Sequence, residues 1–386
     1  MRNKIIALLV IAIFAIPKAI AQEINVDEIN AITTAAPFLL ISPDARSGAM
    51  GDVGVATSPD KNSQHHNPAK AAFNNDEISI GINFTPWMAQ LVSGVYLSNL
   101  SFTNKLNERS AWATSFKYFT YGEIQLTNDN GDDLTKEKPY ELAIDGTYAL
   151  KLNESFSLGV TGRFIRSDFS IKAQDSDLRA INTISFDVSG YYESAETNYG
   201  DFNGIIRGGF NIANIGPKVS FVEDGDKSFL PTNLKLGGGF DFILDDYNKV
   251  AVTLETTKLL VPTPPQRDTN GVITHGKDNN VGFFTGMMQS FGDAPEGFKE
   301  EMREFTWAVG SEYSYNNAFA FRAGYFHENA KKGARNYFSV GAGFKFRAST
   351  IDFSYLFNAT QINNPLENTL RFSLGINLGE SFDYFQ

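Results

Sequence analysis

Asn336 to Leu378 reads NYFSVGAGFKFRASTIDFSYLFNATQINNPLENTLRFSLGINL, and it alternates. Phe338, Val340, Ala342, Phe344 and Phe346 interleave with Tyr337, Ser339, Gly341, Gly343, Lys345 and Arg347. After a break at Ala348-Ser349, the residues Ile351, Phe353, Tyr355 and Phe357 stand against Asp352 and Ser354. Leu370, Phe372, Leu374, Ile376 and Leu378 then stand against Arg371, Ser373, Gly375 and Asn377. A period of two predicts strands. One face is apolar; the other carries Lys345, Arg347, Asp352 and Arg371. In a soluble sandwich the apolar face meets a second sheet. In an outer-membrane barrel it meets lipid, and the polar face turns to the lumen.

Export and loop pattern decide between the two. Met1 to Ala21 reads as a secretory signal: Arg2 and Lys4 lead, Ile5 to Ile16 is apolar, and Ala19-Ile20-Ala21 offers a cleavage site before Gln22. Neither this run nor any later one reaches the ~20 apolar residues of a spanning helix. A membrane form must therefore be a barrel. The chain carries 33 basic and 44 acidic residues; losing Arg2, Lys4 and Lys18 moves the net charge from -11 to -14. That balance argues against nucleic acid as a partner. With no Cys, disulfides, thiolate metal sites and a lipid-anchored mature end are excluded.

Fourteen strands are predicted over 77–85, 92–102, 110–120, 140–151, 155–167, 181–192, 203–213, 233–244, 249–259, 305–315, 318–327, 336–346, 350–357 and 369–378. Connections after even strands are mostly short, and those after odd strands mostly long, up to 260–304. Short periplasmic turns and long outer loops mark an outer-membrane barrel, with both chain ends on the periplasmic side and a tail over 380–386. Asp145, Arg163, Arg207, Glu255, Glu312, Arg322, Lys345, Arg347, Asp352 and Arg371 all fall on the face opposite the apolar one. A lipid-facing Arg or Lys near mid-membrane costs about 2–4 kcal/mol, so these ten are expected to line the lumen and pair there. Residues 22–75 do not fit the wall. Ser42-Pro43-Asp44-Ala45-Arg46-Ser47-Gly48-Ala49-Met50-Gly51-Asp52 and Asn67-Pro68-Ala69 suggest a compact segment plugging the lumen. Asp44, Arg46, Asn67 and Pro68 are its expected docking residues.

Catalytic and metal signals are thin, and no enzyme, cofactor or metal is expected. His65-His66 has no third ligand at metal spacing and reads as plug polarity. His275 and His327 lie in or beside outer loops without partners. Asp129, Asp132 and Asp133 lack the distal Glu of a Ca²⁺ loop and read as a solvated loop. Gly208-Gly209 and Gly237-Gly238-Gly239 lack the Lys and helix of a phosphate loop. The segment 260–304 opens on Pro262-Thr263-Pro264-Pro265. It holds Phe283, Phe284, Met287, Met288 and Phe291, then an acidic helical piece from Pro295 to Glu304. With Trp87 and Met88 of the first outer loop, these apolar residues are candidates for a protein-binding surface; the competing reading has them cap the barrel mouth.

The segment Ser42 to Asp52, Asn67-Pro68-Ala69-Lys70 and Pro86-Trp87-Met88 resemble the PorV (LptO) family of the type IX secretion system. The resemblance spans the mature chain. It implies a FadL-like fold of fourteen strands with an N-terminal plug, and a role that is not enzymatic. It also implies partners: a SprA/Sov-type translocon barrel, cargo recognised through its C-terminal signal domain, a PorU-type sortase, and the surrounding outer-membrane lipids. A lipid A deacylation role is attached to the family name, and no catalytic constellation here carries it. The alternative is a FadL-like channel for hydrophobic small molecules, which needs an apolar lumen pocket and a lateral opening.

Overall fold

A computed structural model describes residues 30–88, 92–127, 130, 132–170, 178–359 and 368–381. The signal at 1–21, the tail beyond 381, Ala89 and Asp129 lie outside the described residues.

The wall strands are β1 (Asp76–Pro86), β2 (Val95–Lys105), β3 (Ser110–Tyr121), β4 (Tyr140–Asn153), β5 (Phe156–Asp168), β6 (Ile181–Glu193) and β7 (Asn203–Ile215). They continue as β8 (Asn233–Ile243), β9 (Asn248–Leu259), β10 (Thr306–Tyr315), β11 (Phe319–His327), β12 (Asn336–Phe346), β13 (Ser349–Asn358) and β14 (Leu370–Ser381). Each pairs antiparallel with its sequence neighbour. The sheet closes where β14 meets β1, with Ile80 opposite Ile376 and Phe84 opposite Phe372. The result is a closed fourteen-stranded barrel, as the sequence pattern requires. Closure leaves no edge strand unpaired in lipid.

Alternation sets the faces. On β5, Ser157, Thr161, Arg163 and Ile165 are buried inward while Leu158, Val160 and Phe164 are exposed outward. The inner face is crowded by residues 30–75, which lie in the lumen. They include a 3-10 turn Pro37–Leu40, α1 (Ala45–Gly48), α2 (Ser63–His66) and a 3-10 turn Pro68–Phe73. Wall glycines make room for them: a Cβ at Gly159 would stand 2.8 Å from the Ala69 nitrogen. The outer loop 260–305 carries α3 (Phe283–Gln289) and α4 (Phe298–Arg303), and the loop between β3 and β4 holds a small hairpin, Ile124–Thr127 with Asp133–Glu137.

Three expectations need correction. Strand β2 starts at Val95, because Gly94 at φ +82° belongs to the turn before it. Arg347 is not in the lumen: its φ of +53° places it in the turn between β12 and β13, where its guanidinium lies 5.3 Å from the Phe346 ring. The described chain also begins at the outer mouth rather than the periplasmic side. The Asn30 N–H donates to the Lys331 carbonyl at 3.1 Å and the Ala35 N–H to the Phe229 carbonyl at 2.8 Å, both in long loops. Residues 30–75 then run the height of the lumen to reach β1 at the end carrying the short turns, where Lys105 Nζ donates to the Asn74 carbonyl at 2.9 Å.

Candidate functional site

The lumen is built on charge. Asp44 caps α1, accepting the Ser47 N–H at 2.8 Å, as a short polar residue at a helix start does. Its other oxygen meets His66 Nε2 at 2.8 Å, and both side chains are buried. Two residues on, Arg46 spends all five of its N–H donors. It forks onto Glu312 of β10 at 3.0 and 2.9 Å, meets Asp60 at 2.9 Å, and donates to Ser58 at its carbonyl (3.1 Å) and hydroxyl (2.7 Å). Arg322 takes up the remaining capacity of Glu312 at 2.6 Å and reaches Asp352 at 2.8 Å; Lys61 holds Asp352 from the lumen side at 3.1 Å. Asn67 caps the turn that begins at Pro68, accepting the Ala69 N–H at 3.1 Å. Its amide donates to the carbonyls of Val55 at 2.8 Å and Gly190 of β6 at 2.9 Å.

The wall charges pair in the same way. Arg163 grips Asp187 at 2.9 and 2.7 Å and reaches Asp145 at 3.4 Å. Arg207 pairs with Glu193 at 2.9 Å and with Asp241. Glu255 accepts the backbone N–H groups of Gly54 at 2.7 Å and Val55 at 2.8 Å, and Arg371 holds Asp52. Lys345 faces inward at the inner rim but stays exposed, lining a cavity of about 570 Å³ with Arg46, Asp60, Arg207, Arg322 and Asp352. A second cavity of about 450 Å³ lies at the outer end, lined by Ile32, Leu40, Leu259, Phe326 and Tyr337 among others. The two share no lining residue. Among the described residues no group of His, Asp or Glu is set to hold a metal ion.

The sequence reading missed two features of this lumen. The Asp44–His66 pair spans 22 residues, and only the fold brings it together. Lys70 is fully buried, donating to the Gly54 carbonyl and the Thr57 hydroxyl at 2.9 Å each.

The outer loop divides the apolar candidates. Trp87 and Met88 are half-buried against Tyr337, Leu356 and Phe326 at the mouth. Phe283 and Met287 are half-buried on α3, while Phe284 and Met288 are 65% and 72% exposed. Gly286, on the opposite side of the same helix, packs beneath Phe229 and Pro262. Spacing of i, i+4 puts Phe284 and Met288 on one stripe, pointing away from the protein. The acidic piece inverts expectation: α4 turns Glu300 and Glu301 inward and leaves Phe298 79% and Met302 53% exposed. Lys258 meets Glu301 at 3.1 Å and Glu304 at 2.5 Å; Lys332 meets Glu300 at 2.6 Å and Glu304 at 3.0 Å. The pair Phe298 and Met302 was readable from its spacing, but the acidic neighbours masked it.

Asp293 joins this buried set with one oxygen accepting the Thr263 N–H at 3.2 Å and the other unpartnered. Burial, with Glu301 and Glu304 close by, outweighs the Thr263 N–H and Lys258 and pushes its carboxyl up to about 6. A raised carboxyl stabilises the fold below the ordinary carboxylate range, and that contribution is lost as pH rises through about 6. Protease cleavage within 260–304 is therefore expected to speed up between pH 5 and pH 7. In Asp293→Asn this step should flatten. An unchanged step in the variant would assign it to another group.

Together the wall, the inward charges and the occupied lumen define an outer-membrane β-barrel with its N-terminal segment inside. The family model described as Type IX secretion system protein PorV matches residues 24–266, and the chain belongs to that family. No curated protein matches it. Among solved structures, the TodX deltaS2S3 mutant monoaromatic hydrocarbon channel is similar at TM-score 0.51 and 12% identity, covering 87% of this chain and 99% of that one. A Pseudomonas aeruginosa FadL homologue aligns at TM-score 0.45 and 12% identity over 92% of this chain and 100% of its own. At such identity the likeness to the first shows the fold alone. The protein is thus a type IX secretion component in the outer membrane.

Proposed function

We propose that this barrel is the cargo-handling subunit of the system. It binds a SprA/Sov-type translocon barrel, receives secreted proteins through their C-terminal signal domain and hands them to a PorU-type sortase. The work is done by outer loops and wall, not by passage through the lumen. The observation that carries this is the occupied lumen: residues 30–75 fill it, Arg46–Glu312 and Lys61–Asp352 pin them to the wall, and Asp44–His66 braces the segment within itself. Opening a path would strip several buried charges of their partners. Phe284 and Met288 supply the contact surface, since they project together from a helix whose other side is packed. The half-buried Phe283, Met287, Trp87 and Met88 support that surface from below.

The outer cavity, with Leu40, Leu259 and Phe326 in its lining, favours the competing reading of a channel for hydrophobic small molecules. Affinity isolation from native outer membranes separates the two. A very large second barrel and secreted cargo should accompany the protein. Recovery of the protein alone, with loss of hydrophobic-substrate uptake in cells lacking it, would support the channel instead.

A further inference from the structure

Lys258 shows which way the long loop folds. On β9, Thr253 and Glu255 are buried in the lumen and Leu254 is exposed outside, so Lys258 falls on the outward, lipid-facing side. Yet Lys258 is only 1% exposed. Glu301 and Glu304 cover it, with the rings of Phe291 at 6.0 Å and Phe305 at 5.3 Å from its ammonium. The loop therefore bends over the rim and down onto the outside of the wall. One step below, Thr256 pairs with Trp307, which stacks on Tyr325 at 5.4 Å and His327 at 5.0 Å; Tyr325 meets Phe338 at 4.8 Å. An outward cluster of Trp and Tyr rings is the girdle a barrel places at the membrane–water boundary.

The orientation of α4 follows from its partners. Glu300 faces the mouth, bonded to Asn30 at 3.0 Å and Lys332 at 2.6 Å. Glu301 faces the wall through Lys258. At 3.6 residues per turn, Phe298 and Met302 lie about 160° round the helix from Glu300, and Lys299 and Arg303 about 160° from Glu301. The apolar pair thus projects away from the mouth, just above the girdle; Lys299 points away from the wall, exposed, while Arg303 is largely covered and paired with Glu296 at 2.7 Å. Phe291 sits beside them on the same outer side.

We infer that α4 and Phe291 form a foothold in the outer leaflet. Phe298, Met302 and Phe291 enter the boundary between headgroups and acyl chains, and Lys299 meets the anionic headgroups above. Apolar residues below and a cation above are what an interfacial helix presents to a membrane. The continuity with the Trp307 girdle selects lipid over protein as the occupant. The foothold holds the loop against the membrane and leaves Phe284 and Met288 of α3 free. It does not depend on the cargo-handling reading.

The chain has no cysteine, so single Cys substitutions at Phe298, Met302 and Lys299 can each carry an environment-sensitive fluorophore. Each variant is reconstituted in phosphatidylethanolamine–phosphatidylglycerol vesicles containing nitroxide-labelled lipid. Probes at 298 and 302 should emit at shorter wavelength, be quenched by the lipid nitroxide, and show several-fold less quenching by aqueous iodide than a probe at 299. Equal iodide quenching at all three sites would overturn the foothold. So would protection of 298 and 302 that arises only when the native partner barrel is added, because that places protein rather than lipid on this face.

Discussion

Replacing Arg46 by Ala is expected to lower the melting temperature of the barrel sharply and to raise leak through its lumen. The five hydrogen bonds of Arg46 join three places: α1, the Ser58–Asp60 stretch and β10. Without it, Asp60 loses its ion pair and Glu312 is left with Arg322 among the described residues. Removing one partner from a buried pair destabilises by about 3–5 kcal/mol, chiefly because the remaining charge stays buried. Arg46→Lys keeps the charge but not the fork, so it should fall between wild type and Ala. Thermal unfolding in detergent reads the first effect and liposome swelling the second. If Arg46→Ala melts and leaks as wild type does, the lumen segment is not held as its geometry indicates.

The second large effect is on partnership. Phe284→Ser with Met288→Ser should leave the fold intact, since both side chains project from α3 and touch no wall strand. Recovery of the partner barrel should drop at least tenfold, taking about 2 kcal/mol for a desolvated aromatic or Met anchor. Cargo should accumulate in the periplasm. If the pair merely caps the mouth, the same variant melts lower while secretion stays normal. Measuring both quantities on one sample separates these outcomes.

How far the sequence reaches follows from the range of each interaction. Alternation is local, so all fourteen strands could be read from neighbours, with β2 shifted by three residues at both ends and the last strand running three residues further, to Ser381. The inward charges were readable as a set, because lipid forbids them on the other face. Arg347 stands one residue past the expected strand 336–346, where the rule no longer applies, and its φ of +53° turns it out of the lumen. The small residues and paired charges of 42–52 mark a packed segment, but not its direction. That direction depends on Asn30 finding Lys331 and Glu300, some 300 and 270 residues away. The inversion of α4 was hidden for the same reason. Read alone, Glu300 and Glu301 belong in water; Lys258 and Lys332 bring them inside.

The central claim is that function proceeds with the lumen closed, and a covalent tether tests it most directly. A Cβ at Gly237 of β8 would stand 3.4 Å from the Ala56 Cβ, close to the ~3.5–4.5 Å that a disulfide spans. Val55 Cγ1 is 2.5 Å from the same point, so Val55→Ala accompanies Ala56→Cys and Gly237→Cys. With no native cysteine, the bond formed is unambiguous. Cells carrying the tethered barrel are assayed for cargo at the surface under oxidising and reducing conditions. Equal secretion in both is the expected result. Secretion that stops when the bond forms and resumes when it is reduced would contradict the claim, because the lumen segment would then have to move.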